Sequence, residues 1–231
     1  MSITENVKRI KADIARAAIA AGRNPEDIIL CAATKMNDAT AVREAIAAGV
    51  DCCGENRVQE LMQKQSQNAY EGAPVHFIGH LQTNKVKQVV GKVDLIQSVD
   101  SVRLLEAINK EATKQGIVQD VLLEINVGQE ESKSGFAWEE LEDVLSQMGD
   151  FSAIRVLGFM AIPPICQVST GNHKFFQKMY NLSVDIMRKK YDNVCVNILS
   201  MGMSGDYADA IACGSTMIRV GTAIFGARDY A

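Results

Sequence analysis

Ile3, Val7, Ile10 and Ile14 recur at steps of four, three and four, which sets them on one face of a helix. The turn Gly22-Arg23-Asn24-Pro25 ends that helix. Beyond it the chain alternates short apolar runs with helical patterns. The first run is Ile28 to Ala33, followed by a helix from Asp38 to Ala48 that Gly49 closes. The later runs are Asp51 to Gly54, Val75 to Gly79, Leu95 to Val99, Val121 to Val127, Arg155 to Ile162, Val194 to Met201 and Met217 to Val220. Most of them start about two dozen residues apart, the length of one strand-loop-helix-loop unit, with wider gaps after Val127 and Ile162. Eight such units predict an α/β protein of the (β/α)8 barrel type with an extra N-terminal helix. An open doubly wound sheet would carry a glycine fingerprint in its first βα turn, and here that turn is Ala33-Thr34-Lys35-Met36-Asn37. Neither a dinucleotide nor a P-loop motif occurs elsewhere.

Composition narrows the class further. The 231 residues are 47% hydrophobic and 23% charged, enough to bury a sizeable core, and one domain is expected over 1–231. A net charge of -4 with no basic block argues against nucleic acid. The longest uncharged stretch, Val156 to His173, is broken by Pro163-Pro164 and by Gln167, Ser169 and Thr170, so it reads as a strand and a loop, not a membrane span. Met1 to Asn6 lacks the features of a secretory signal, so a cytoplasmic protein is expected. Cys31, Cys52, Cys53, Cys166, Cys195 and Cys213 show no CxxC pair and no metal-ligand spacing with histidine; they read as reduced, mostly buried thiols, and no metal is expected.

A (β/α)8 barrel builds its site at the C-terminal ends of its strands. Those ends deliver Thr34-Lys35, Gly54-Glu55-Asn56-Arg57, Gly79-His80, Glu124 and Asn126, Met160, Ser200 to Ser204, and Arg219 to Thr222. Lys35 follows six uncharged residues, so its stem leaves the core. A lysine there either snorkels to solvent or, with its pKa brought down from about 10.4, serves as a Schiff-base amine. Ser200, Gly202 and Ser204 on the seventh strand end and Gly221-Thr222 on the eighth fall where such barrels bind phosphate, although glycine and serine also favour ordinary tight turns. Arg219 shares parity with Gly221 and points into the mouth, where its charge requires a partner, a structural bridge to Glu124 being one solution. His80, Asn56 and Met160 are each compatible with a merely structural role.

Together these segments resemble the pyridoxal phosphate homeostasis proteins, which share the barrel of alanine racemase, the type III fold of pyridoxal phosphate proteins. The resemblance spans essentially the whole chain. It rests on Ala33-Thr34-Lys35, Gly54-Glu55-Asn56-Arg57-Val58-Gln59-Glu60, the run His76 to Lys85, Ser200-Met201-Gly202-Met203-Ser204 and the run Arg219 to Arg228. It implies pyridoxal 5'-phosphate (PLP) bound as a Schiff base on Lys35. Ser200, Gly221 and Thr222 would hold the phosphate, with Ser204 beside them, Arg219 would face the pyridine nitrogen, and Asn56, His80 and Met160 would line the ring. A guanidinium only donates, so that nitrogen would stay unprotonated and the ring would be a weak electron sink.

The resemblance further implies a non-catalytic carrier that maintains the PLP pool, with PLP-dependent apo-enzymes as recipients. A monomer is expected. The alternative is a weak amino-acid racemase; alanine racemase adds a C-terminal β-domain that supplies a second acid/base, and this sequence stops at Asp229-Tyr230-Ala231. A more distant reading is a cofactor-free Schiff-base aldolase. Two departures from the family pattern, Gly205 in place of an acidic residue and the loop Pro163-Pro164-Ile165-Cys166-Gln167, bear on loop closure and release rate.

Overall fold

The computed structural model describes residues 2–130, 134–164 and 171–226; the expectations for Ile165 to Gln167 and for Ala227 to Ala231 fall outside them. Each apolar run becomes a strand. These are β1 (Ile29–Ala33), β2 (Cys52–Glu55), β3 (Val75–Phe77), β4 (Leu95–Val99), β5 (Gln119–Ile125), β6 (Ile154–Ala161), β7 (Val194–Ser200) and β8 (Met217–Val220). They pair in sequence order, and β8 pairs in parallel with β1 to close the barrel. Strands covered on both faces must be apolar on both, which is why the runs are continuous rather than alternating. Closure is helped at Gly158, where φ is +142° and a Cβ would meet the Ile198 carbonyl oxygen at 1.9 Å, so β6 and β7 approach closely where their register shifts.

The helices are α1 (Ile3–Ala20), α2 (Ala39–Ala47), α3 (Val58–Ser66), α4 (Val102–Gln115), α5 (Trp138–Ser146), α6 (His173–Arg188), α7 (Tyr207–Ala212) and α8 (Thr222–Phe225). After β3 the connection holds a 3-10 helix, Thr83–Gln88. The N-terminal helix is present as expected, started by a capping box between Ser2 and Glu5. Its buried face, Val7, Ile10, Ile14 and Ala18, packs with Leu30 and Ala32 of β1 and Ile218 and Val220 of β8. With only four residues, α8 cannot cover those strands, and α1 does so. The Asn6 amide donates to the Ile224 carbonyl at 2.9 Å and fastens the two. Among the described residues no helix is long and apolar enough to cross a membrane.

A buried polar knot fixes the end of β1. The Lys64 ammonium on α3 donates to Glu55 Oε2 and to the Thr34 carbonyl, each at 2.7 Å. Glu55 also accepts from Thr34 Oγ1 at 3.1 Å and from the Tyr70 hydroxyl at 3.2 Å. Burial pushes the Glu55 carboxyl up, and Lys64 opposes that shift. Lys64→Met removes the cation and leaves the buried carboxylate with only the Thr34 and Tyr70 hydroxyls, so urea unfolding at pH 7 should show a loss of roughly 3–5 kcal/mol. The double variant Lys64→Met with Glu55→Gln should recover much of it.

Candidate functional site

At the C-terminal mouth of the barrel a cavity of about 300 Å³ is lined by Lys35, Asn56, Ser204, Arg219, Gly221 and Thr222. Six of the nine residues singled out from the sequence are therefore brought together. Ala33, Ile78, Ile162, Met203 and Gly205 complete the wall. A wider groove of about 560 Å³ between α1 and α7 shares Ser204 and Gly205 with this cavity but lies on the outside of the barrel, against Asp13, Arg16 and Tyr207.

Lys35 is half-buried just past β1. Its backbone is held by the turn in which the Asn37 N–H donates to the Thr34 carbonyl and the Asn37 amide to the Lys35 carbonyl. Met36 next to it has φ +61°, a conformation rare for residues other than glycine, and its N–H is secured by Glu60 at 2.6 Å. Asn56 follows β2, and its Oδ1 is buried without a hydrogen-bond partner. Gly79 explains its placement, because a Cβ there would fall 2.2 Å from the Asn56 carbonyl oxygen. Across the mouth, Ser204 Oγ sits 3.4 Å from the Ala223 N–H, joining the loop after β7 to the first turn of α8.

Arg219 on β8 is 4% exposed. Its guanidinium donates to Ser200 Oγ at 2.6 Å and to the Ala161 carbonyl at 3.0 Å. Burial lowers its pKa, opposed by Cys31, Glu124 and Asp206. Glu124 thus acts on Arg219 as a nearby charge, while the hydrogen bonds go to neutral groups.

The other three candidates lie elsewhere. Ser200 is fully buried beneath Arg219, accepting from it and donating to Gln97 Oε1 at 2.7 Å. Met160, the register partner of Ser200, is fully buried in the barrel interior with Leu95, Leu122 and Met217. His80 is exposed on the loop after β3, and its Nδ1 pairs with Asp100 Oδ2 at 3.0 Å. The sequence reading did not single out Gln97, although it is the hub below the cavity; a lone glutamine in an apolar run, Ile96-Gln97-Ser98, was the available signal. Nor did the linear spacing of the cysteines show that Cys31, Cys52 and His76 converge, with ligand atoms within 4.8 Å of one another.

The model of the family described as alanine racemase, N-terminal domain, matches residues 3–229. The pyridoxal phosphate homeostasis protein of Aquifex aeolicus is 40% identical over the whole of both chains, and that of Escherichia coli K12 is 37% identical over 99% of this chain and 97% of its own. Among solved structures, an unknown protein from Bifidobacterium adolescentis superposes with a TM-score of 0.90 at 38% identity, covering 96% of this chain and 94% of its own. PipY of Synechococcus elongatus with PLP bound gives 0.80 at 32% identity, covering 92% of this chain and 100% of its own. The fold is thus that of the alanine racemase barrel. The chain belongs to the pyridoxal phosphate homeostasis protein family.

Glu124, at the same level of the barrel as Met160, offers a pH test. Burial, and then Asp100, push its carboxyl up to about 7 from the ordinary 4.5, against Arg219 and His80. The folded protein therefore binds the proton more tightly than the unfolded chain, so stability falls as pH rises from the lower value to the higher. The decline attributable to Glu124 is on the order of 3 kcal/mol. Glu124→Gln should flatten that part of a urea-unfolding pH profile and make the protein more stable than wild type at pH 8.

Proposed function

We propose that this chain binds PLP in the mouth cavity, covalently through the Lys35 amine, and holds and releases the cofactor to maintain its free pool without turning over amino acids. The observation that carries the reading is the sharing of one cavity by Lys35, the serine- and glycine-bearing turns at Ser204 and Gly221-Thr222, and the buried Arg219 guanidinium. Bound there, PLP supplies an aldehyde that condenses with a primary amine and a pyridine ring able to accept electron density. The residues fit such a group: the buried Asn56 Oδ1 awaits a donor, and Ser204, Thr222 and the opening turn of α8 offer donors to a phosphate.

Arg219 commits two of its five N–H donors to Ser200 and Ala161, which orients it, and it presents only donors to the cavity. A ring nitrogen facing it keeps its lone pair, which weakens the ring as an electron sink and disfavours carbanion chemistry. Relatives matched over nearly their full length are named for homeostasis rather than for a reaction, which supports the carrier reading. Ser200 contributes from outside the cavity wall by holding Arg219, while Met160 and His80 do not line the cavity. Recipient apo-enzymes and a monomeric chain remain parts of this proposal.

The visible spectrum of the protein loaded with PLP should change on borohydride treatment, and peptide mapping should find the reduced adduct on Lys35. A colourless protein that takes up no added PLP would overturn the reading. Three charge-assisted hydrogen bonds at the phosphate nominally supply about 5–9 kcal/mol, against roughly 8 for micromolar binding, before ordering costs. Lys35→Ala should therefore still bind PLP weakly, with no borohydride-trapped adduct. Incubated with L-alanine in deuterated water, the holoprotein should exchange the α-proton no faster than free PLP does; a clear excess rate would favour a weak racemase.

A further inference from the structure

Below the cavity the apolar interior of the barrel is crossed by a chain of polar contacts. Ser200 Oγ accepts from Arg219 and donates to Gln97 Oε1, 2.7 Å away. The Gln97 NH2 group faces the other way. Gln97 Nε2 then donates to His76 Nδ1 at 2.9 Å and to Met217 Sδ at 3.1 Å. His76 is consequently a neutral imidazole with its proton on Nε2 and a lone pair on Nδ1. Cys52 Sγ lies 3.5 Å from that same nitrogen. Cys31 is the register partner of Cys52 on one side and of Arg219 on the other. All three side chains are buried, and their ligand atoms lie within 4.8 Å of one another.

We propose that Cys31, Cys52 and His76 form a buried binding site for a soft monovalent ion, Cu⁺, on the floor of the barrel beneath Arg219. The donor set is two sulfurs and one imidazole nitrogen with no carboxylate in the cluster, which selects soft metals over Mg²⁺ or Ca²⁺. Bonds of about 2.3 Å to sulfur and 2.0 Å to nitrogen require those two donors to be about 3.5–3.7 Å apart. The Cys52–His76 separation meets that requirement. Gln97 Nε2 donates to Nδ1, so a metal on that nitrogen takes the place of this hydrogen bond, and the amide keeps its contact with Met217 Sδ.

Charge balance selects the monovalent ion. Two thiolates around Cu⁺ leave a charge of -1, which Arg219 on the neighbouring strand offsets, whereas Zn²⁺ would leave the site neutral and gain nothing from the guanidinium beside it. The metal displaces the thiol protons and no electron is transferred. The site does not depend on the PLP reading, and its test does not use PLP.

The test uses the full chain in a Cys166→Ser, Cys195→Ser background, which removes Cys166, outside the described residues, and the exposed Cys195. Reduced protein, both native and refolded in the presence of the ion, is titrated anaerobically with Cu⁺ delivered from bicinchoninate. One Cu⁺ per chain should be retained against the chelator, and Cys31→Ala, Cys52→Ala and His76→Gln should each lose it while near-ultraviolet circular dichroism reports a folded protein. No retention in either preparation, retention unaltered in those variants, or retention of Zn²⁺ in preference to Cu⁺ would overturn the proposal. Where a variant does not fold, X-ray absorption of the copper-loaded parent decides: a shell of two sulfurs and one nitrogen supports the site, and any other shell overturns it.

Discussion

Arg219 carries a permanent charge into the barrel interior, and a charge so placed has to be met by acceptors and by opposite charge. The demand propagates. Ser200 accepts from the guanidinium and donates to Gln97, whose amide nitrogen reaches His76 Nδ1 in turn. The Ala161 carbonyl at the end of β6 is drawn into the same set. Ser200, Gln97 and His76 thus form one connected set with Arg219, separate from the Lys64–Glu55 knot at the end of β1. The cavity above it inherits a fixed donor at its base.

The barrel was legible because strands buried on both faces write themselves as uninterrupted apolar runs, and because each run ends in a short polar cluster. That rule carried Lys35, Asn56, Ser204, Arg219, Gly221 and Thr222 to one place, since strand ends in a closed barrel converge whatever the loops do. It did not resolve depth. Ser200 and Met160 share a register level below the cavity, a level that depends on strand stagger, which no local pattern records. His80 lies past the end of its strand, where Asp100 from the next loop takes the ring outward. The meeting of Cys31, Cys52 and His76 was illegible for the same reason as the depth: it is a fact of register among three strands, each reading alone as an ordinary buried segment.

Two wall residues not chosen as site candidates from the sequence, Ile162 and Met203, are exposed apolar side chains at the rim. Isolated residues of this type on loops carry no periodic signal, so nothing distinguished them from surface scatter. Their contribution is to flank a polar pocket with low-dielectric surface, which strengthens the hydrogen bonds made inside it.

The pairing of α1 with α8 has a consequence for how the molecule comes into being. A side chain in the first turn of the chain bonds a carbonyl 218 positions later, and β1 finds its second neighbour only in β8. Contacts of such separation carry a loop-closure cost before they return any stability, and they form late. On a ribosome, the first helix and first strand must wait with apolar edges uncovered until nearly all the rest has emerged. Lys35 and Gly221, which stand on opposite sides of that seam, become neighbours only at the closing event. The two sides of the pocket therefore have no means of meeting in a nascent chain until the last strand has emerged.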